Sequence, residues 1–101
     1  MLEPDLSLKL VGDEFMLWKL AIKDGTPYFW IGQMFGQMKN FEAFIREVCT
    51  AANIEWIVTA TTRNPKAHIR KWSMVHMGSY DYEFEGRHYH VLKGNIQNLR
   101  G

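Results

Sequence analysis

The stretch Gln33-Met34-Phe35-Gly36-Gln37-Met38-Lys39-Asn40 sets a glycine between an apolar run and an amphipathic one. Unpaired amides at the start of a helix bind anionic phosphate, and glycine lets such a group approach the main chain. The amides of Gly36, Gln37, Met38 and Lys39 are therefore candidates to hold a phosphate. The same residues also make an ordinary strand-to-helix turn with Asn40 as the helix cap, and both readings stay open. Further along, His88 and His90 share one strand face, with Asp81 and Glu83 opposite them across a Gly86 turn. A His-x-His pair chelates zinc when a third ligand converges. Cross-strand carboxylate–imidazole pairing accounts for the same four residues without a metal, and none is expected. His76 has the chemistry of a general base, whereas His68 needs no special role.

Three other groups read more plainly. Cys49 shares an apolar stripe with Phe41, Ile45 and Val48, which offers nothing to stabilise a thiolate, so it is expected to be a buried small hydrophobe. As the single cysteine it also excludes an internal disulfide and a cysteine-only zinc site. Asn64 precedes Pro65, the pairing of a cap with a first helical residue. Arg63, Lys66, Arg70 and Lys71 form the one basic cluster and read as a solvated helix face. Twelve Lys+Arg against eleven Asp+Glu leave a net charge of +1, so neither a nucleic acid nor an acidic membrane is an expected partner.

The elements that must position these groups follow from periodicity. Residues 5–11 place leucines at 6, 8 and 10, the alternation of a half-buried strand. After Gly12-Asp13, residues 14–23 form a long apolar run, expected to be a strand covered on both faces. Asp24-Gly25 signals a hairpin, and residues 28–35 return as its second arm. Phe41, Phe44, Ile45, Val48, Cys49 and Ala52 then recur on one face of a helix that Asn53 stops. Residues 54–62 are rich in β-branched residues and have strand length. A second helix is predicted from Asn64-Pro65 to about Met77, with Ile69, Trp72, Val75 and His76 inward and Gly78 as its stop. Residues 80–91 form a hairpin about Glu85-Gly86, with Phe84 opposite Arg87, Tyr82 opposite Tyr89 and Tyr80 opposite Val91 on an aromatic core face. Glu83–His88 and Asp81–His90 pair on its other face.

The predicted class is α+β: a mixed, mostly antiparallel sheet with two helices, in the order β-β-β-α-β-α-β-β, as a single domain over residues 1–101. Hydrophobic residues at 47% and charged residues at 23% fit a folded chain rather than a disordered one. No apolar run approaches the length of a membrane span, and the start Met-Leu-Glu-Pro-Asp lacks the layout of a signal peptide, so a cytoplasmic location is expected. An exposed Trp18 or Trp30 would imply a homodimer face.

This order and its punctuation resemble the GNAT N-acetyltransferase superfamily from about Glu14 to Lys93, without that family's first helices. The family's acyl-CoA signature, Arg/Gln-x-x-Gly-x-Gly/Ala, is matched by Gln33 and Gly36, with Met38 at its last position. A second family mark, an asparagine after the next strand, is matched by Asn64. The closing run Arg87-His88-Tyr89-His90-Val91-Leu92 resembles the last two strands, especially those of short phage-encoded members. The resemblance implies acetyl-CoA as cosubstrate, bound through Gln33, Phe35, Gly36, Gln37, Met38, Lys39 and Asn64, and acetyl transfer to an amine acceptor. It implies that two strands splay apart near Phe35 and Ile57 and orient the thioester with their backbones. The family's tyrosine acid has no counterpart, since Lys71 or Trp72 stands in its neighbourhood, and His76 and Glu55 are the expected proton relays. Met38 and the missing tyrosine also suit a second outcome. In that outcome the chain is a GNAT-fold module without catalysis that serves binding or assembly, such as a phage virion or host-interaction protein.

Overall fold

The computed structural model describes residues 6–62, 64–66, 69–70 and 73–98. Strands β1 (Ser7–Val11), β2 (Glu14–Lys23) and β3 (Thr26–Phe35) form an antiparallel meander. At the second hairpin Asp24 and Gly25 take φ of 52° and 80°, the pair of left-handed residues that a type I′ turn requires. Helix α1 (Glu42–Ala51) then crosses to β4 (Trp56–Thr61), which lies parallel to β3. Strands β5 (Val75–His76), β6 (Tyr82–Phe84) and β7 (Arg87–Asn95) complete one seven-stranded sheet. Its order is β1-β2-β3-β4-β7-β5, with β6 also paired to β7.

The two faces of the sheet are unequal. On one, Met16, Phe29, Ile31, Ile57 and Leu92 are buried beneath Phe41, Ile45 and Cys49 of α1. Trp18 stacks on Phe29 there, with ring centroids 5.1 Å apart. The helical stripe and the buried cysteine are as the spacing predicts, and Asn53 ends the helix at φ 58°. On the other face Leu17, Trp30, Trp56 and Val58 are half-buried and Val91 is buried, and the exposed part is its β1 end. Leu8 and Leu10 lie on it, exposed, while Lys9 and Val11 turn to the helix side, so the leucine stripe of β1 is not the buried one. Nor is β2 covered along its whole length: Leu20 and Ile22, which alternate with Met16 and Trp18 on the helix side, are exposed.

The second half departs further from expectation. Residues 66, 69 and 70 are helical, and the Ile69 amide donates to the Pro65 carbonyl at 3.1 Å. The helix does not reach Met77, because Ser73 takes φ 53° and Val75–His76 extends to pair with Lys93 and Leu92. An unfilled edge of β7 outweighs a short apolar period here. Arg63, His68, Lys71 and Trp72, part of the predicted helix and its basic cluster, lie outside the described residues. The closing hairpin has the predicted register, Tyr82 with Tyr89, Glu83 with His88 and Phe84 with Arg87, about Glu85 and Gly86 at φ 51° and 75°. Its arm begins only at Tyr82. Tyr80 belongs to a 3-10 turn, Gly78–Tyr80, and it is Met77 whose amide donates to the Val91 carbonyl (2.7 Å). Tyr80, Tyr82 and Phe84 are exposed, so the aromatic face of this hairpin is not core.

Candidate functional site

β3 and β4 pair over four rungs, from Tyr28–Trp56 to Ile31–Thr59, and then part. β3 nevertheless runs on to Phe35 and β4 to Thr61. The cause lies at Gly32. Against β2, Leu17 pairs with Gln33 and Trp18 with Ile31, which leaves Gly32 without a partner, as in a β-bulge. A bulge bends its strand, increases the twist and ends regular pairing. A Cβ at Gly32 would stand 3.2 Å from Leu6 Cδ1 and 3.3 Å from Trp30 Nε1, so glycine is the residue that fits. At the last rung Thr59 Oγ1 donates to the Ile31 carbonyl at 3.2 Å.

The parting opens into a cavity of about 640 Å³. Gly32, Gln33 and Met34 line one side, Ala60, Thr61 and Thr62 the other, and Tyr82, Glu85, Arg87 and Tyr89 of the β6–β7 hairpin close it. The strands therefore splay beyond Thr59 rather than at Ile57. Tyr82 and Tyr89, stacked with centroids 5.0 Å apart, bring phenol groups to this gap. Alternation put them on one face, but nothing local showed that this face borders a cleft instead of the core.

Beside the gap, the turn after β3 is built as an anion cradle and already holds an anion. Gly36 takes φ 124°, where glycine is favoured. The Gln37 amide donates to Glu14 Oε2 at 3.1 Å, and Asn40 Nδ2 donates to both carboxylate oxygens at 2.7 and 2.9 Å. A Cβ at Gly36 would fall on that same carboxylate. Asn40 is thus tied to Glu14 and is not the helix cap; Phe41 takes that position without a side-chain bond. Met38 is buried in the core cluster, which directs its side chain away from the cradle, while Lys39 is exposed. Glu14 escaped sequence reasoning because its partners lie 23 and 26 residues away.

The remaining predicted residues are spread over the sheet. Phe35 is exposed and stacks on Phe15 at 5.9 Å. Asn64 follows β4 at the end where the gap opens, and its Oδ1 accepts the Lys66 amide at 3.0 Å, the capping role. Glu55 precedes β4 at the opposite end, four residues from Thr59 and so roughly 13 Å along the strand. His76 lies on β5, with β4 and β7 between it and β3, roughly 14 Å across the sheet. The structure thus gathers Gln33 to Lys39 and Asn64 at one end and keeps Glu55 and His76 apart from them.

His76 belongs to a different cluster. Its Nε2 lies 3.0 and 2.9 Å from the two carboxylate oxygens of Asp81. His88 Nε2 and His90 Nδ1 lie 3.3 and 3.4 Å from Asp81 Oδ2, and the Val91 amide donates to Oδ1 at 2.9 Å. The Val91 amide, helped by His76 and His88, holds the Asp81 carboxyl down at about 2. The predicted pairing of Asp81 with His90 is present, but His76 is an addition from a strand expected to be helix.

No family model matches the chain, and neither does any curated protein sequence. Among solved structures, it is similar to a chain of the NatC complex, crystallised bound to Gag peptide and CoA. That likeness has a TM-score of 0.60 at 10% identity and covers 81% of this chain. The chain spans 60% of the length of that neighbour. The likeness is one of fold. Among the described residues no helix is long and apolar enough to cross a membrane.

Proposed function

We propose that the domain is a GNAT-like acetyltransferase that moves an acetyl group from acetyl-CoA to a primary amine. The observation that carries this reading is the bulge-induced parting of β3 from β4 beside a glycine turn. The parted strands leave backbone groups of residues 32–35 free of β4, where they can orient a thioester in the cavity. Gln33 faces this space, and the amides of Gly36 to Lys39 offer the cradle for the pyrophosphate. Positioning does most of the work in such a reaction. The amine nitrogen attacks the thioester carbon, the C–N bond forms as C–S breaks, the ammonium proton leaves and the thiolate is protonated. Tyr89 and Glu85, which border the cavity, are better placed for these proton transfers than Glu55 or His76.

One observation favours the second reading, a GNAT-fold module that binds or assembles without catalysis. The Glu14 carboxylate sits in the cradle, and a diphosphate must displace it against like charge. Calorimetric titration of acetyl-CoA into the wild type and Glu14→Gln separates the two. Under the acetyltransferase reading Glu14→Gln binds at least about tenfold more tightly, since the like charge in the cradle is gone, and Gly36→Asp abolishes binding. Absence of binding in both the wild type and Glu14→Gln at millimolar ligand rejects this reading and leaves the module.

A further inference from the structure

We propose that His76, Asp81 and His90 form a binding site for a zinc-class divalent cation, with His88 as a fourth donor. The inference is independent of the acetyltransferase reading. Three chain segments, β5, the start of β6 and β7, bring their nitrogens and oxygens to one point. One donor atom from each of His76, Asp81 and His90 lies within 4.8 Å of the others. Asp81 Oδ2 stands at the centre, with His76 Nε2, His88 Nε2 and His90 Nδ1 at 2.9, 3.3 and 3.4 Å. In a tetrahedral shell with zinc–nitrogen bonds of roughly 2.0–2.1 Å, neighbouring donors are about 3.3 Å apart. The observed contacts to Oδ2 already bracket that edge length, so small side-chain rotations close the shell.

The hydrogen bonding itself points to a ligand. A structural ion pair needs one imidazole, but three surround this carboxylate. Oδ1 already takes the Val91 amide, and His90 Nδ1 is buried with no hydrogen-bond partner. The imidazole rings also crowd one another, with centroids of His76 and His88 only 5.3 and 4.7 Å from that of His90. A cation at the point of convergence gives every one of these atoms a partner. Each ring then carries its proton on its outer nitrogen. Imidazole nitrogens with a single carboxylate suit zinc and exclude calcium or magnesium, which take oxygen shells. The ion would also pin the short edge strand β5 to the closing hairpin.

The test is titration of Zn²⁺ into the metal-free full chain by calorimetry. One ion binds per chain with micromolar or tighter affinity, and His76→Ala and His90→Ala each weaken it at least about tenfold. His88→Ala weakens it less. Circular dichroism on each variant shows whether its fold persists. A second readout needs no variant: imidazole nitrogen NMR of the wild type, in which Zn²⁺ shifts His76 and His90. Failure of Zn²⁺ to bind, equal affinity in the folded alanine variants, or unmoved His76 and His90 resonances overturns the site.

Discussion

Glu42 occupies the first turn of α1 only 3% exposed, with Oε2 lacking a hydrogen-bond partner. Burial raises its carboxyl above the ordinary 4.5, and Arg46 only partly opposes this. An acid whose pKa rises on folding stabilises the fold below its unfolded value, and that contribution is lost as pH climbs through the folded one. Glu42→Gln is therefore expected to stabilise the chain at about pH 7 by roughly 1 kcal/mol, a melting-temperature gain of several degrees. The gain should fade below about pH 4, where the wild-type carboxyl is already protonated in both states. Thermal melts at the two pH values check this, and a gain independent of pH contradicts it. At this scale legibility followed sequence distance. Cys49 is legible because its environment is its own helical stripe, and burial pushes its thiol up to about 11. Glu14 and the convergence of His76 on Asp81 were not legible, because each depends on which strands meet.

The hairpins about Asp24-Gly25 and Glu85-Gly86 were legible as elements because two-residue turns fix register locally. The gap was implied only by family resemblance. Its physical device, the bulge at Gly32, had a weak signal: an isolated glycine within a strand pattern. The last third is not legible at β5, where two residues carry no period of their own and pairing with β7 decides. Thr59 sits where the parallel pair ends, and its hydroxyl satisfies the Ile31 carbonyl. Thr59→Val keeps the shape but removes that donor, and is expected to destabilise the domain by about 1 kcal/mol. Thr59→Ser should retain most of the stability, because the hydroxyl survives. Urea unfolding of both variants tests the claim, and equal losses would place the effect in packing rather than in the bond.

Over the whole molecule the aromatic and leucine surplus divides between packed positions and an exposed β1 end of the sheet, a division composition alone leaves open. Leu8, Leu10 and Phe35 are 57%, 62% and 61% exposed on the sheet. Trp18 and Trp30, whose exposure would mark a dimer face, are both half-buried. Elsewhere on the sheet Lys93 lies over the Trp56 ring at 4.3 Å and Lys23 over Tyr80 at 3.6 Å, so cations cover some of the aromatic area. The leucine end has no such cover among the described cation–ring contacts. Contiguous exposed apolar surface drives association. The folded chain should therefore bind a hydrophobic dye and self-associate as concentration rises. The double variant Leu8→Lys, Leu10→Lys should lose most of both responses. Its unfolding free energy should stay within about 1 kcal/mol, because neither side chain contributes to the core. Dye fluorescence and sedimentation read the two effects separately. A chain that stays monomeric and dark to the dye at every concentration would mean that the exposed leucine end is too broken by charge to act as a surface.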